Sequence, residues 1–552
     1  MFIYPDTQES PITSAKAWLL GLLCAVWVGT GLIGHDPWKS VDAYSFALIY
    51  HILQSGDWLV PTLAGQPDMD NPPLFYITAA ILAKLFASLL PLHDGARLAS
   101  GLYIFITLIF LARTGRELFG VGRGWATVII FIGCLGLLVH AHELFTELAL
   151  LAGCAMMLFG YSKSLRRPLL AGGTIGTGAG IGFMANDFTA LVFFIIISAA
   201  LLIFHEWRTR TYFNSLGIAA IFALPWMVIW PALLYQRSPE LFMLWAWDAN
   251  IGRWLDYMRH GEYITAILHY IKTLLWFAWP GLPLAVWAVW QARFKIMQES
   301  AMQLPLVSLF AMLLTLSLAP SYGEEYAMPM LLPIALLASA ALSTLRRGAA
   351  NALNWFGITT FGLLAILMWW GWGGLLLDNR AKITRLLKDY HPAFEPSVQT
   401  PAFWIAIIVT VLWVILVWRV RRSMRRAVIN WTAGVTLIWV LAMTIWLPWL
   451  DSGKSYRNIA VSLKHALPPH YRCLASQGVG DTQRVMLHYF SGINAINQGQ
   501  CDLMLTLGSP PRPSKEGAAW IKVWEGRRPS VRAEHFYLYQ RGKQLPSRSD
   551  SI

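Results

Sequence analysis

Residues 34–73 place five carboxylates, Asp36, Asp42, Asp57, Asp68 and Asp70, directly after the first apolar run of a chain in which only 13% of residues are charged. Ionisable groups beside a membrane are costly unless they face water or a cavity, so acids gathered there are candidates for chemistry. Lys39 lies one turn before Asp42, and the two can flank one site. The plain alternative is capping. Ser40 opens a helix with Asp42 in its first turn, where an acid favours the helix dipole by about 0.3–1 kcal/mol, and Asp36 before Pro37 reads as a turn residue.

Further polar groups fall at the same face of the chain. Glu143 and Glu147 stand i, i+4, so both project from one side of a helix, with His140 and His142 just before them. Asp187 sits in a short turn, and Glu324 and Glu325 lie in Tyr322-Gly-Glu-Glu-Tyr326. A long loop from Tyr235 to Tyr263 contributes Arg237, Asp248, Asn250, Arg253, Asp256, Arg259 and His260; Trp245, Trp247 and Trp254 lie in it and Trp226 stands just before it. Most of these tryptophans read as an interfacial belt and the arginines as lipid head-group contacts. A carrier would put its charges at mid-span; here they converge on one face, which points to an enzyme at the membrane surface.

The elements that must position these groups are membrane helices. The chain has 552 residues, 56% of them hydrophobic, and a mean hydropathy of +0.49, whereas soluble domains carry about 25% charged residues. The net charge of +13 is spread over short loops and does not point to nucleic acid. Thirteen apolar runs read as spans, near 15–33, 97–115, 122–140, 142–162, 169–186, 188–206, 212–234, 264–290, 304–320, 325–345, 352–377, 402–418 and 428–450. Even-numbered runs are followed by basic clusters, from Arg113/Arg116/Arg123 through Arg293/Lys295 to Arg419/Arg421/Arg422; odd-numbered ones are followed by acidic or mixed loops such as Asp378–Pro401. The positive-inside rule then puts the N-terminus in the cytoplasm and residues 451–552 outside. No cleavable signal peptide is evident.

Between the first two spans, Val41–Leu53 has the apolar spacing of an amphipathic helix lying in the interface. Gly56-Asp57-Trp58 and Gly65-Gln66-Pro67 are turn signatures, and Asp70-Asn71-Pro72-Pro73 opens a second, membrane-parallel helix over Pro73–Leu90. The fold class is thus an α-helical polytopic membrane protein: residues 1–450 form the transmembrane domain, 34–96 its first outer loop, and 451–552 a small α/β domain. In that domain Cys473 and Cys501 flank strand-like runs; in an oxidising compartment they pair as a disulfide, the alternative being two buried thiols. Cys24, Cys134 and Cys154 read as packing residues within spans.

Ser55-Gly-Asp-Trp-Leu-Val-Pro-Thr-Leu-Ala-Gly65 followed by Asp70-Asn-Pro-Pro-Leu-Phe-Tyr76 resembles the first outer loop of polyprenyl-phosphate-dependent glycosyltransferases of the GT-C superfamily. The likeness is to the bacterial aminoarabinose transferases of lipid A and the protein O-mannosyltransferase-like enzymes. Asp248-Ala-Asn250-Ile-Gly-Arg253, Thr146-Glu147 and Tyr326-Ala-Met-Pro-Met-Leu-Leu-Pro333 resemble further stretches of that family. Three expected cations are absent: Tyr44-Ser45 stands for Arg-Tyr, Asn71 for a lysine, and Asn186-Asp187 for Thr-Lys. Val41-Asp42 stands for the family's Asp-Glu, and Glu324 or Glu325 replaces a further basic residue.

The resemblance implies a multi-pass protein of the bacterial inner membrane. It implies that a sugar moves, with inversion, from an undecaprenyl-phosphate-type carrier to lipid A, another glycan or a protein at the periplasmic face. A general base must take the acceptor proton at about 3 Å, and positive charge or a metal must stabilise the leaving phosphate. Asp42 is the first candidate base, with Asp36 as its substitute. Lys39, Arg237, Arg253 and Arg259 are candidates for the phosphate, and Asp70, Asn71, Glu143, Glu147, Asp187, Asn250, Glu324 and Glu325 for the rest of the substrate. No cofactor is implied with certainty; Asp70, Glu147 and His260 are candidate ligands of a divalent metal. Two alternatives stand beside the transferase: an accessory lipid-binding protein of the same fold without catalysis, and a transporter of polyprenyl lipid or polysaccharide.

Overall fold

The computed structural model describes residues 14–293, 296–320, 322–342, 344–377, 382–390, 394–419, 424–497, 499, 501–508, 520–528 and 534–541. Lys295, Asp378, Arg421 and Arg422, used above for sidedness, lie outside them.

The apolar runs form helices. Among the described residues five are long and apolar enough to cross a membrane alone, and seven spans result if each of two bent pairs counts once. Shorter apolar helices, including Arg123–Ile132 and Thr189–Leu201, complete the bundle. Leu92–Phe119 is an inner helix, with 61% of its apolar window buried, whereas Thr400–Arg419, at 11%, stands at the periphery.

Three expected spans are broken: the run at 428–450 bends by 67° between Arg425–Ala442 and Leu447–Lys454, and the other two breaks lie side by side. The run at 264–290 bends by 104° between Tyr263–Phe277 and Gly281–Ala292, and the run at 122–140 divides into Arg123–Ile132 and Leu137–His140. These two breaks meet. The Leu135 and Gly136 amides donate to the Trp279 and Phe277 carbonyls at 3.3 and 2.9 Å, and the Trp431 indole donates to the Gly133 carbonyl at 2.9 Å. Backbone groups freed at membrane depth are tolerated where neighbours re-satisfy them, so each break supplies what the other lacks.

The first outer loop follows α1 (Ser14–Gly29). It contains α2 (Val41–Ser55) and α3 (Leu74–Leu85) and leads into α4 (Leu92–Phe119). The structure corrects the reading of α2 as an interfacial helix: residues 42, 43, 45–49 and 52 are all buried. Its outer side is covered by the C-terminal domain, where Tyr489 packs edge-on against Phe46 at 4.8 Å. Ser40 makes no side-chain cap; α2 ends at Gly56, whose left-handed φ of 71° lets its amide close on the Ile52 carbonyl. α3 is 12 residues long, or about 18 Å, too short to span, as expected of a membrane-parallel element. Between them β1 (Thr62–Leu63) and β2 (Gln66–Pro67) form a hairpin.

The C-terminal sheet comprises β3 (Leu474–Gln477), β4 (Ala495–Ile496), β5 (Leu503–Leu507), β6 (Trp520–Arg527) and β7 (His535–Arg541), in the order β4-β3-β5-β7-β6. β3 runs parallel to β4 and β5; β7 is antiparallel to β5 and β6. Helix Asp481–Ser491 makes the crossover from β3 to β4, as a parallel pair requires. β3 and β5 match the strand-like runs that Cys473 and Cys501 flank. Cys473 and Cys501, 28 positions apart, are joined in a disulfide.

Helices Glu147–Lys163 and Pro168–Asn186 cross at glycines. A Cβ on Gly178 would lie 2.5 Å from the Gly153 carbonyl oxygen, and one on Gly153 would lie 2.4 Å from that of Gly178; a Cβ on Gly217 meets nothing within 4 Å. Gly178→Val therefore destabilises by about 1–3 kcal/mol or more, read as a lower thermal unfolding midpoint in detergent. Gly217→Ala leaves that midpoint unchanged or raises it.

Candidate functional site

The site is built outward from Asp42, whose carboxylate is fully buried. Oδ2 accepts the Trp38 amide at 2.9 Å and the Arg97 guanidinium at 3.2 Å, and Oδ1 accepts the Leu144 amide at 2.8 Å. Arg97 is equally buried; it also donates to Asp94 Oδ1 at 3.0 Å and to the carbonyls of Leu32, His35 and Asp36 at 3.2–3.4 Å. Asp94 in turn takes the Gly34 amide at 3.0 Å. Burial works against ionisation of Asp42, but Arg97, His35 and the two amides outweigh it and hold the carboxyl below the ordinary range. His35, beside it, is pushed down to about 4 by burial and by Arg97.

Residues 36–39 run from this centre to the C-terminal domain. Asp36 takes Arg457 Nε at 2.8 Å and Ser455 Oγ at 2.7 Å. Burial raises its carboxyl, yet these two partners prevail and keep it low. The Trp38 indole donates to Asp451 at 2.6 Å while Lys454 lies 4.3 Å from its ring centroid. Lys39 pairs with Glu534, which Arg528 also holds at 2.8 Å.

On the other side of α2 lies an acidic group. Tyr44 donates to Asp68 at 2.6 Å, and Asp68 accepts the Asp70 amide at 3.3 Å. Arg253 reaches Asp70 at 3.2 Å, with both side chains open to solvent, 44% and 60% exposed. The Trp245 indole donates to Asp187 at 2.7 Å, and Asn250 donates to the Trp245 carbonyl at 3.0 Å. Asn186 donates to Glu147, and Tyr326 lies within electrostatic reach of Glu147, Glu325, Asp70 and Arg253. Burial pushes Asp187 up to about 7, offset in part by Trp245, Asn250 and Arg253. It raises Asp68 as well, with Tyr44 only partly compensating.

The structure therefore sorts the expected residues. It brings together Asp70, Glu147, Asp187, Asn250, Arg253 and Glu325, with Asn71 hydrogen-bonded to nearby Tyr76. Asp42, Asp36 and Lys39 lie on the other side of α2, engaged with Arg97, Arg457 and Glu534. Asp42 has no exposed surface, so it reaches no acceptor in this arrangement. Arg237 pairs with Asp57 at 3.4 Å, and Glu143 stands 3.5 Å from His140. Arg259 and Glu324 are exposed. His260 is exposed and faces Asp256 at 3.3 Å, and among the described residues no three His, Cys, Asp or Glu side chains converge tightly enough to hold a metal ion.

The long loop proves helical. Pro239–Met243, a π-helical stretch Leu244–Ile251 and Gly252–His260 follow one another. The wide π turn carries both Trp245 and Asn250, in keeping with the frequent use of such bulges at functional sites. Trp245 is 2% exposed and belongs to the interior rather than to an interfacial belt. Sequence reasoning missed Arg97, Asp94, His93, Tyr44 and Arg457. Asp94 and Arg97, spaced i, i+3 at the start of an apolar run, were a usable signal; Arg457 offered none.

No family model matches the chain. Its sequence is similar to undecaprenyl phosphate-alpha-4-amino-4-deoxy-L-arabinose arabinosyl transferase 2 of Pseudomonas fluorescens (strain Pf0-1), 24% identical over 369 residues, 64% of this chain and 65% of that one. The corresponding transferase of Photorhabdus laumondii is 25% identical over 366 residues, with 64% of each chain covered. The match thus spans slightly less than two thirds of these relatives' length. These sequence relatives are aminoarabinose transferases, the kind of protein that residues 55–76 resemble. The fold is that of ArnT from Cupriavidus metallidurans, solved bound to undecaprenyl phosphate: the TM-score is 0.67 at 14% identity, over 95% of this chain and 98% of that one.

Two outcomes follow from these surroundings. Arg97→Leu leaves Asp42 and Asp94 buried without their cation and lowers stability by about 3–5 kcal/mol, measurable by thermal unfolding in detergent. Asp187, raised to about 7, binds its proton more tightly folded than unfolded. The wild type therefore loses stability as pH rises from about 4 to about 7. Asp187→Asn lacks this slope and still accepts from Trp245, so its unfolding midpoint gains on the wild type across that window.

Proposed function

We propose that this protein transfers a sugar from a polyprenyl-phosphate carrier to an acceptor at the outer face of the bacterial inner membrane, with its N-terminus cytoplasmic and the sheet domain periplasmic. The observation that carries the reading is the solvent-open Arg253–Asp70 ion pair at the edge of the acidic group. An exposed pair gains little from its own contact, so an arriving phosphate can take over the guanidinium, which suits two-pronged phosphate recognition.

Asp70, released, then faces the acceptor as a carboxylate. The acceptor hydroxyl gives its proton to Asp70 and its oxygen bonds to the anomeric carbon. The bond from that carbon to the phosphate oxygen breaks, and the electron pair stays on the phosphate, where Arg253 meets the charge. One displacement inverts the anomeric centre. Asn71, Glu147, Asp187, Asn250 and Glu325 shape the sugar pocket in this scheme, while Asp42 and Asp36 position the loop. The acceptor is lipid A, another glycan or a protein side chain; surrounding membrane lipids complete the partners.

Reconstituted protein given a polyprenyl-phosphate sugar and acceptor extract releases free polyprenyl phosphate. Arg253→Gln lowers that release about 10²–10³-fold, and Asp70→Asn lowers kcat with KM for the donor little changed. Tight carrier binding by the wild type with no release, across donor sugars, would overturn the reading in favour of an accessory lipid-binding role, which the absence of charge at Val41 and Asn71 and the capture of Lys39 by Glu534 would then explain.

A further inference from the structure

A polar cavity lies apart from the acidic group. It measures about 440 Å³ and opens between the first outer loop, the start of α4 and the C-terminal domain. Its lining includes Asp36, His93, Asp94, Arg457, Tyr489 and Phe490, and none of these residues belongs to the proposed transfer site. The volume falls within the range of about 300–1,000 Å³ typical of small-molecule sites.

The chemistry of the wall restricts what fits. Its charges are already neutralised within the protein: Asp36 is held by Arg457 and Asp94 by Arg97. A strongly charged ligand therefore finds no unpaired counter-charge. What remains are hydrogen-bonding positions of both signs around aromatic rings. His93, 4% exposed, takes or gives a hydrogen bond at Nδ1 with the Tyr489 hydroxyl, 2.8 Å away. Its Nε2 stands 3.9 Å from both Asp36 Oδ1 and Asp94 Oδ1, too far for a hydrogen bond to either. That nitrogen, deep in the wall, is open to a ligand hydroxyl. Arg457, half exposed, spans Asp36 and the Phe490 ring, 4.6 Å from its centroid, using Nε and Nη2 on the carboxylate. Carboxylate oxygens, an imidazole nitrogen, a guanidinium edge and ring faces together match a neutral, polyhydroxylated ring.

We propose that this cavity binds a saccharide. Its walls come from both domains, so occupancy ties the sheet domain to the membrane domain. Reading the bound sugar as part of the acceptor glycan rests on the transferase function proposed above; the binding itself does not.

The test uses the full-length protein in nanodiscs and saturation-transfer NMR with glucose, galactose and N-acetylglucosamine as probes, and glycerol and inorganic phosphate as controls. At least one saccharide receives saturation from the wild type and glycerol does not. Phe490→Ala and, separately, His93→Ala weaken the saccharide signal about tenfold or more, a loss in line with removing a ring face or a buried hydrogen bond. Arg253→Gln retains it, so donor chemistry and saccharide binding fail independently. Unfolding midpoints show which variants are intact; should His93→Ala fail to fold, Phe490→Ala and Tyr489→Phe carry the test. No saccharide signal in the wild type, a signal indifferent to Phe490→Ala, or binding of phosphate alone would each overturn the proposal.

Discussion

The half of this protein that gathers its carboxylates depends on one buried cation. Arg97 has no exposed side-chain surface. It gathers two carboxylates, Asp42 and Asp94, and three carbonyls of the segment that leaves the first span. Bringing such charges out of water costs several kcal/mol per ion, and the interaction repays this only where geometry and extra hydrogen bonds are good. Here Asp42 adds the Trp38 and Leu144 amides and Asp94 the Gly34 amide. The network therefore fixes where the first loop leaves α1, where α2 begins and where residue 144 passes beneath it. Breaking any member strands the others, which makes the loop's path close to all-or-none.

From that anchor the loop has two faces with different duties. Residues 36–39 turn toward the sheet domain and are consumed by it, through Arg457, Asp451 and Glu534. Tyr44, Asp68 and Asp70 turn the other way, toward Asp187 and Arg253. α2 is the partition between them. Its burial on both sides follows from this position, since one side must pack on membrane helices and the other on the sheet domain. An amphipathic pattern read alone could not distinguish a lipid surface from a second protein layer.

What was legible in the sequence was local. Gly56-Asp57-Trp58 announces a helix end followed by a turn, and the structure shows the left-handed Gly56 and Asp57 accepting the Leu59 amide at 3.1 Å. The strand-like runs beside Cys473 and Cys501 likewise became β3 and β5. What was not legible was pairing across distance. Arg97 meets Asp42 from 55 residues away and Arg457 meets Asp36 from 421 residues away; nothing in either segment names the other. Lys39 looked like a phosphate ligand because its charge was visible, while its partner Glu534 was not. The broken helices were hidden for a related reason: hydropathy reports that a run is apolar, while the bends at Gly133–Gly136 and at Ala278–Pro280 rest on amides of one meeting carbonyls of the other and on Trp431 meeting the Gly133 carbonyl.

Carboxylates repel a phosphorylated donor of the kind proposed above unless burial holds them back from ionising. Asp187 is pushed up to about 7 and Asp68 is raised as well, because burial disfavours the ionised form. Near neutral pH the group carries less negative charge than its composition implies, with the open Asp70 countered directly by Arg253. Where Arg-Tyr would stand in the resembling family, Tyr44 supplies a neutral hydroxyl to Asp68 at 2.6 Å, a donor that needs no counter-ion. The loss of cations and the suppression of carboxylate charge thus go together: burial holds back ionisation in the group, and the transfer proposed above then asks only one guanidinium at the solvent edge to meet the phosphate, whereas fully ionised carboxylates would demand the cations this sequence lacks.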